Sequence, residues 1–192
     1  MDLIKKLHLY GTLRRISLFM INYVFRGTSP TACGAKRNLM CVIGCPVGKG
    51  TTIVGPIACS GYVKIGENCW IGKNFTINGN GSVEIGDRCD IGPEVTFQTG
   101  GHQIGSPERR AGEGIKFHQT VGNGTWIGGR VTVLNEANIG QGCVIAGCAC
   151  VVDDVEDNTL VGGVPAKVIA MRFTEEEIKK HKKLIKNKNS LD

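Results

Sequence analysis

The stretch at residues 115–151, IKFHQTVGNGTWIGGRVTVLNEANIGQGCVIAGCACV, carries an aliphatic residue at every sixth position. The positions in phase are Ile115, Val121, Ile127, Val133, Ile139, Ile145 and Val151, and glycine follows at Gly122, Gly128 and Gly140. Neither an α-helix nor an ordinary strand has a six-residue period. A hexapeptide repeat is typical of a β-helix, in which one aliphatic side chain of each short strand points into a narrow core. The stretch therefore predicts an all-β protein built as a parallel β-helix.

The same period extends toward the N-terminus. The earlier residues in phase are Val47, Ile53, Cys59, Ile65, Ile71 and Ile77, followed by Ile85, Ile91 and Phe97. The phase shifts by two residues at 78–81, where the sequence is NGNG. Asn and Gly tolerate left-handed backbone conformations, so this segment suits a corner that absorbs two extra residues. Three such strands make one triangular turn, and the array predicts about five turns within residues 46–172.

The period fails between Phe97 and Ile115. Residues 98–114 contain GGHQ at 100–103 and the polar run SPERRAGEG at 106–114. Because the phase returns afterwards, this segment is predicted to protrude as a loop from an otherwise regular stack. Interruptions of a rigid scaffold often carry function. Residues 98–114 are therefore the predicted active-site loop, and His102 lies within it.

Residues 1–45 lack the repeat and predict a helical or irregular segment. Apolar residues recur at helical spacing, with basic residues between them: Leu3, Leu7, Tyr10, Leu13, Met20 and Tyr23, and Lys5, Lys6, Arg14 and Arg15. Two interpretations remain open. Residues 1–26 pack on their own domain or on a partner chain, or they form a basic amphipathic helix on the inner membrane surface. The apolar run at 16–25 is too short to span a bilayer.

Residues 173–192 predict a C-terminal helix. Thr174 and Glu177 have the spacing of a capping box, and acidic residues in the first turn with lysines later both favour the helix macrodipole. The apolar stripe of this helix is narrow. We expect the helix to lie back over the open end of the coil.

Composition narrows the class of protein. The formal net charge is +6, but no alternation of aromatic and basic residues is present, so no nucleic-acid partner is expected. Nine cysteines are an odd number with loose spacing and no secretory signal, which indicates reduced cysteines in a cytoplasmic protein. Four of the cysteines fall on the lattice of hexapeptide repeats, where Cys acts as a small hydrophobic residue: Cys59, Cys69, Cys143 and Cys148. Without paired C-x-x-C spacing, no metal is expected.

Several motifs occur in order: the hexapeptide array, GH at 101–102 with ERRAG at 108–112, WIGG at 126–129 and GGVPAKVI at 162–169. Taken together they resemble the left-handed β-helix acyltransferases. The sequence is most similar to the maltose/galactoside O-acetyltransferase branch and its polysaccharide-modifying relatives, over roughly residues 60–172. The resemblance implies transfer of an acetyl group from acetyl-CoA to a hydroxyl. It also implies a homotrimer with active sites between neighbouring coils.

The resemblance implies roles for two residues near the acceptor. His102 matches the position of the family's base, and histidine is the side chain best suited to taking a hydroxyl proton near neutral pH. Asn78 matches an acceptor-contacting Asn, although its place at the register shift equally favours a conformational role. His118 matches nothing functional in the family and is expected to be a surface or lattice-side residue.

The resemblance also implies a cofactor groove. Trp126 is placed beside the catalytic cleft, or alternatively in an outward-facing subunit contact. Gly129 and Gly147 match positions where backbone groups meet the pantetheine arm, and glycine permits such a close approach. Lys167 matches a basic position for the coenzyme A phosphates. The family's next basic position is occupied by Ala170 in this chain, and Arg172 is the expected substitute. A Thr-Lys pair of the family is replaced here by Val152 and Asp153.

The sequence therefore predicts an acetyl-CoA-dependent O-acetyltransferase acting on a carbohydrate hydroxyl by direct transfer. A sugar precursor in surface-polysaccharide biosynthesis is the expected acceptor, since lipid-linked sugars lie at the membrane and the N-terminal segment is basic. The alternatives are a serine O-acetyltransferase, whose relatives carry a larger helical N-terminal domain, and a non-catalytic β-helix scaffold. A covalent cysteine mechanism is disfavoured because no cysteine has an adjacent histidine.

Overall fold

The computed structural model describes residues 3–170 and 173–186. Helix α1 (Leu3–Phe19) continues into a π-helical turn (Met20–Val24) and is followed by α2 (Pro30–Val42). The strands are β1 (Thr52–Ile53), β2 (Ile57–Cys59), β3 (Tyr62–Ile65), β4 (Trp70–Ile71), β5 (Phe75–Asn78), β6 (Ser82–Ile85), β7 (Asp90–Ile91), β8 (Thr96–Gln98), β9 (Gly100–Ile104), β10 (Ala111–Lys116), β11 (His118–Val121), β12 (Trp126–Ile127), β13 (Thr132–Val133), β14 (Val144–Ile145), β15 (Cys150–Val151), β16 (Leu160–Gly162) and β17 (Lys167–Ala170). Helix α3 (Glu175–Lys186) completes the described chain.

The strands form a triangular coil with three parallel faces. The first sheet has the order β1-β4-β7-β12-β14-β16, and β17 adds antiparallel to β16 at its end. The second sheet has the order β2-β5-β8-β13-β15, and the third has the order β3-β6-β11. Single parallel bridges extend the third face at Val47, Ile139 and Val155. The predicted parallel β-helix is confirmed.

The six-residue period marks the core, as expected. The in-phase residues from Ile53 to Phe97 and from Val121 to Val151 are all buried, with Cys59 the most exposed of them at 7%. Burying one such aliphatic side chain contributes about 1.5–3 kcal/mol. The stack of inward residues is therefore the main source of stability in the coil.

Ile115, the first residue of the array that indicated the fold, is not part of the stack. It lies in β10, pairs antiparallel with Gly101 and is only partly buried. The first parallel strand after the interruption is β11, which pairs with β6 in the register His118 to Ser82 and Val121 to Ile85. The assignment of Ile115 to the core was wrong, because an aliphatic residue happened to fall in phase inside the inserted segment.

The corners of the coil absorb every change of period. Thr52 pairs with Trp70, 18 residues later, whereas Trp70 pairs with Asp90 after 20 residues. The two extra residues lie in the predicted corner at 78–81, where Gly79 has φ +117°. Asp90 then pairs with Trp126 after 36 residues. This longer excursion contains the segment predicted as a loop, and it leaves the stack as an antiparallel hairpin of β9 and β10.

One interior corner of the coil is lined by hydroxyl and thiol groups. Its residues are Thr51, Cys69, Cys89, Thr125, Cys143 and Thr159. The Thr51 hydroxyl donates to the carbonyl of Gly66 at 2.7 Å and accepts from the Cys69 N–H at 3.0 Å. The buried lattice cysteines thus serve packing, as predicted, but Cys148 does not. It is exposed at an outer corner with φ +63°.

The N-terminal helices pack on the coil of their own chain. The Lys36 side chain is fully buried, and its Nζ donates to the carbonyls of Gly27 at 2.8 Å, Ile53 at 2.7 Å and Val54 at 2.9 Å. Burial lowers the pKa of Lys36 because the ammonium is removed from water. Arg14 adds a hydrogen bond from Nη2 to the carbonyl of Cys59 at 2.7 Å. Within the described ranges, no helix has both the length and the apolar character to cross a bilayer.

Helix α3 lies along the side of the coil, and not over its open end as the sequence suggested. Thr174 and Glu177 form the expected capping box, with Thr174 N donating to Glu177 Oε2 at 2.8 Å. The helix crosses the corner between the third and first sheets, where His181 sits over Gly124 and Gly142. These glycines leave a groove because they have no side chains. The groove accepts the helix, and this complementarity is invisible in a linear sequence.

Replacing Lys36 with methionine tests the attachment of the N-terminal helices. We expect Lys36→Met to lower the free energy of unfolding by about 2–4 kcal/mol, because three carbonyls lose their donor. Urea unfolding followed by circular dichroism measures the change. The control Lys49→Met alters an exposed lysine and should stay within about 0.5 kcal/mol of the wild type. Equal effects of the two substitutions would contradict a structural role for Lys36.

Candidate active site

His102 projects from the hairpin that interrupts the coil. It lies in the middle of β9, opposite Gly114 of β10, and its side chain is exposed. Its Nδ1 atom lies 2.9 Å from the carbonyl oxygen of Gly112. Because a carbonyl can only accept, Nδ1 must carry the proton in this hydrogen bond. The unprotonated nitrogen of the neutral ring is then Nε2, which is the arrangement that a general base requires.

Asn78 and His102 line the same cleft. This cleft has a volume of about 610 Å³ and is also bordered by Ser60, Asn80 and Gly114. The Asn78 amide donates from Nδ2 to Gln98 Oε1 at 2.9 Å. The two residues that the sequence placed near the acceptor are therefore brought together by folding, although they are distant in the chain.

A second cleft lies on the other side of the hairpin. It has a volume of about 600 Å³ and is lined by His102, Gln98, Phe117, Asn135 and Glu136, among others. His102 thus separates two polar clefts, and Gln98 links them through its hydrogen bond with Asn78. The sequence did not indicate Gln98, Asn135 or Glu136, since their proximity to His102 depends on the hairpin folding back over the coil.

Gln119 is a polar residue at a core position beneath these clefts. It occupies the inward position that Val63 and Val83 hold in the preceding turns, and it is 1% exposed. Its Nε2 atom donates to the carbonyl of Asn135 at 2.8 Å and more weakly to that of Gln98 at 3.3 Å. Gln119 therefore ties together the backbone of the cleft floor. A polar residue two positions before an in-phase aliphatic was the sequence signal for it.

Gly129 and Gly147 lie one above the other at a different corner, between the first and second sheets. A Cβ on Gly147 would lie 3.3 Å from the carbonyl oxygen of Gly129. That carbonyl accepts from the Cys148 N–H at 2.9 Å. Within the described residues, no hydrogen bond uses the N–H groups of Gly129 or Gly147. Their backbone N–H groups are therefore without an intramolecular acceptor among these residues.

Trp126 lies on the first sheet beneath α3. Its side chain is 57% exposed, and it borders a cleft of about 340 Å³ with Val144, Ile178 and His181. This cleft does not include His102. Within one chain, Trp126 therefore lines neither of the two clefts that contain His102.

Of the two residues predicted to contact the coenzyme A phosphates, the structure describes Lys167. Lys167 opens β17, is exposed and lies 3.7 Å from Asp153 Oδ2. It borders a cleft with the acidic residues Asp153, Asp154 and Glu156. Those carboxylates disfavour an anionic ligand at this point. Arg172 lies outside the described residues.

His118 is exposed and its Nδ1 lies 2.7 Å from the Ser82 hydroxyl, which agrees with a surface role. In the described ranges, no three His, Cys, Asp or Glu side chains are grouped so as to hold a metal ion.

Four of the predicted site residues thus form two pairs at two corners of the coil. The hairpin with His102 leaves the corner between the second and third sheets, and Asn78 is beside it. Gly129 and Gly147 occupy the corner between the first and second sheets. A whole face of the coil separates the groups. The single chain presents a histidine beside a cleft at one corner, and separately a corner where two backbone N–H groups have no intramolecular acceptor.

Comparison with known proteins identifies the family. No protein-family model matches the chain. The chain is 32% identical over 153 residues to galactoside O-acetyltransferase of Escherichia coli (strain K12), which covers 77% of this chain and 73% of the relative. A hexapeptide-repeat-containing acetyltransferase of Vibrio cholerae O1 biovar eltor, solved as a complex with acetyl coenzyme A, superposes with a TM-score of 0.72 and 26% identity, covering 86% of this chain and 88% of that one.

A second solved structure agrees. A galactoside acetyltransferase in complex with coenzyme A has a TM-score of 0.64 and 25% identity, covering 88% of this chain and 84% of that one. The chain belongs to the hexapeptide-repeat acetyltransferase family, with galactoside and maltose O-acetyltransferases among its homologues and structural neighbours. It is therefore an enzyme of the acetyltransferase class, and the scaffold alternative is wrong.

The seating of α3 beside Trp126 should depend on pH. Burial lowers the pKa of His181, and its Nε2 has no hydrogen-bond partner among the described residues. A lowered pKa means that docking is fully stabilised above the ordinary histidine pKa of about 6.5 and loses stability as the pH falls below it. We expect the protection factors of the α3 amides, which correct for the intrinsic pH dependence of exchange, to be lower at pH 5 than at pH 7. His181→Leu should remove this difference, as measured by hydrogen exchange.

The control for this experiment is His118→Gln, which removes an exposed histidine far from α3 and should leave the pH effect intact. Persistence of the full pH effect in His181→Leu would assign it to another group.

Proposed function

We propose that the protein transfers an acetyl group from acetyl-CoA to a hydroxyl of a carbohydrate, with His102 as general base. The observation that carries this proposal is the hydrogen bond between His102 Nδ1 and the Gly112 carbonyl. It directs the free lone pair of the ring to Nε2, in a side chain that borders two open clefts. Related acetyltransferases were solved in complex with acetyl-CoA or CoA, which supports acetyl-CoA as the donor of the acetyl group.

The reaction follows from these groups by direct transfer. The acceptor hydroxyl attacks the thioester carbonyl carbon while Nε2 of His102 removes its proton. The carbonyl oxygen becomes negatively charged, and backbone N–H groups at Gly129 and Gly147 are suited to stabilise it. Collapse of the tetrahedral intermediate forms the ester and expels the CoA thiolate. The thiolate then takes the proton from the imidazolium, which restores the base.

A carbohydrate suits the clefts beside His102. Asn78, Gln98 and Asn135 contribute carboxamide groups, and Glu136 contributes a carboxylate. Carboxamides both donate to and accept from hydroxyls, and the carboxylate accepts from them, so together these groups can orient a polyol in several hydrogen bonds. Galactosides are the first acceptors to test, because the Escherichia coli relative is a galactoside O-acetyltransferase. A sugar precursor of a surface polysaccharide, made in the cytoplasm, is the setting that we propose for the reaction.

We infer that the complete site forms between two copies of the chain in a homotrimer. His102 and the free N–H groups of Gly129 and Gly147 lie at separate corners, so one chain does not align them. A cyclic assembly places one corner of each chain against a different corner of its neighbour. Neighbouring copies would then provide the base and the acetyl donor of a single site, and Trp126 would reach the cleft in the same way.

Removal of the base tests the proposed chemistry. We expect His102→Ala to lower kcat about 10²–10⁴-fold, because the acceptor hydroxyl loses its proton acceptor. Release of free CoA thiol with acetyl-CoA and a panel of galactosides measures turnover, and calorimetry should show unchanged acetyl-CoA binding. His118→Ala is the control and should retain wild-type turnover. Wild-type turnover in His102→Ala would refute the assignment of the base.

Mixed oligomers test the shared site. His102→Ala and Gly147→Phe should each be inactive alone, since one lacks the base and the other has a blocked groove. After unfolding together and refolding, random trimers should recover about a quarter of wild-type activity, because some sites combine an intact base with an intact groove. Separately refolded variants mixed afterwards are the control. No recovery despite confirmed mixed trimers would place the site within one chain.

A further inference from the structure

Helix α1 and the turn after it expose a continuous apolar stripe. Ile16, Phe19 and Tyr23 follow each other at helical spacing and are 55%, 56% and 61% exposed. The rings of Phe19 and Tyr23 lie with centroids 5.2 Å apart. We name these three residues the aromatic stripe. Leu13 and Val24 enlarge its borders. Large apolar side chains gathered on one exposed face typically mark an interaction surface.

The opposite side of the same helix packs against the coil. Ser17 and Ile21 are buried there. Asn22 forms a pair of hydrogen bonds with the backbone of Ile57, both at 2.9 Å. These contacts fix the rotation of the helix, so the aromatic stripe cannot turn inward. It faces outward as a consequence of how the helix is anchored.

Cationic side chains border the aromatic stripe. Arg15 and Arg26 are exposed on the same segment. Arg26 also lines a cleft of about 470 Å³ together with Tyr23 and Lys73, and no acidic residue lines that cleft. Within the described residues, neither Arg26 nor Lys73 forms an ion pair. Two unpaired cations therefore face a cavity at the edge of an exposed aromatic surface.

We propose that this surface binds an anionic lipid bilayer. Tyr and Phe side chains settle at the level of the headgroups, so the outward face of the helix can place its apolar residues at the interface while its other face stays on the coil. Arg26 and Lys73 would contact a headgroup phosphate in the adjoining cleft. Anionic headgroups attract each nearby Lys or Arg by about fivefold in partitioning. The surface thus combines the two interactions that hold peripheral proteins on membranes.

A two-fold contact with a second copy of the chain fits this surface less well. In a two-fold contact the patch meets itself, so that Arg15 and Arg26 would face like charges. Residues 11–26 contain no Asp or Glu that would pair with them. A bilayer containing acidic lipids satisfies both the aromatic rings and the arginines.

Vesicle flotation with the full-length protein tests the proposal. Wild type should float with phosphatidylcholine vesicles that contain phosphatidylglycerol, and weakly or not at all with phosphatidylcholine alone. Phe19→Ser with Tyr23→Ser should abolish flotation, because the aromatic anchor is lost. Arg26→Gln with Lys73→Gln should weaken it about 25-fold, since two cations are removed. Lys179→Gln with Lys180→Gln removes the same charge from α3 and should float like wild type.

The outcomes separate this surface from catalysis. All of these variants should turn over a soluble acceptor like wild type, since none alters His102 or the glycine corner. Absence of wild-type flotation would overturn the proposal, as would equal losses in the α3 control and the Arg26 and Lys73 variant. If the aromatic variant changes only the mass measured by sedimentation, the stripe contacts another copy and the lipid assignment is wrong.

Discussion

The close stacking of successive turns is the constraint on which the structure depends. Each turn donates its backbone N–H groups to the turn above or below, for example Gly72 N to Ile91 O at 2.8 Å. At the corners the backbones approach so closely that a Cβ on Gly48 or Gly72 would lie 2.6 Å from the next turn. At these corners, glycine after the inward aliphatic is therefore a steric requirement. Stacking in turn aligns the aliphatic residues into one narrow core.

The same constraint directs where function can be built. A strand cannot lengthen without breaking the register of its neighbours, so extra residues must leave at a corner. The hairpin with His102 uses the corner between the second and third sheets, the free N–H groups of Gly129 and Gly147 lie at the next corner, and α3 covers the third at Gly124 and Gly142. Each corner carries a different element. In the proposed homotrimer, a site that needs the first two corners together would be completed by a neighbouring chain.

The N-terminal segment shows how both interpretations of one sequence can hold. Apolar residues occur on two sides of the helix: Ile21 packs on the coil while Phe19 and Tyr23 face outward. The buried Lys36 links this segment to the end of the coil through three carbonyls, so that helix and coil form one body. The membrane surface proposed above would therefore hold the coil, and with it the clefts at His102, at a defined orientation to the lipid.

The six-residue period by itself determined the coil, its core residues and the corner at 78–81, because each inward position obeys a local rule of spacing and size. The motif around His102 likewise indicated the family, which the comparisons confirm. The spacing gave wrong core assignments for two residues that fit the repeat by chance. Ile115 belongs to the hairpin, and Cys148 lies at an outer corner. Only the tertiary structure decided the seating of α3, the hydrogen bond that orients His102 and the role of buried Gln119. These depend on contacts between residues distant in sequence, whose geometry no local period encodes.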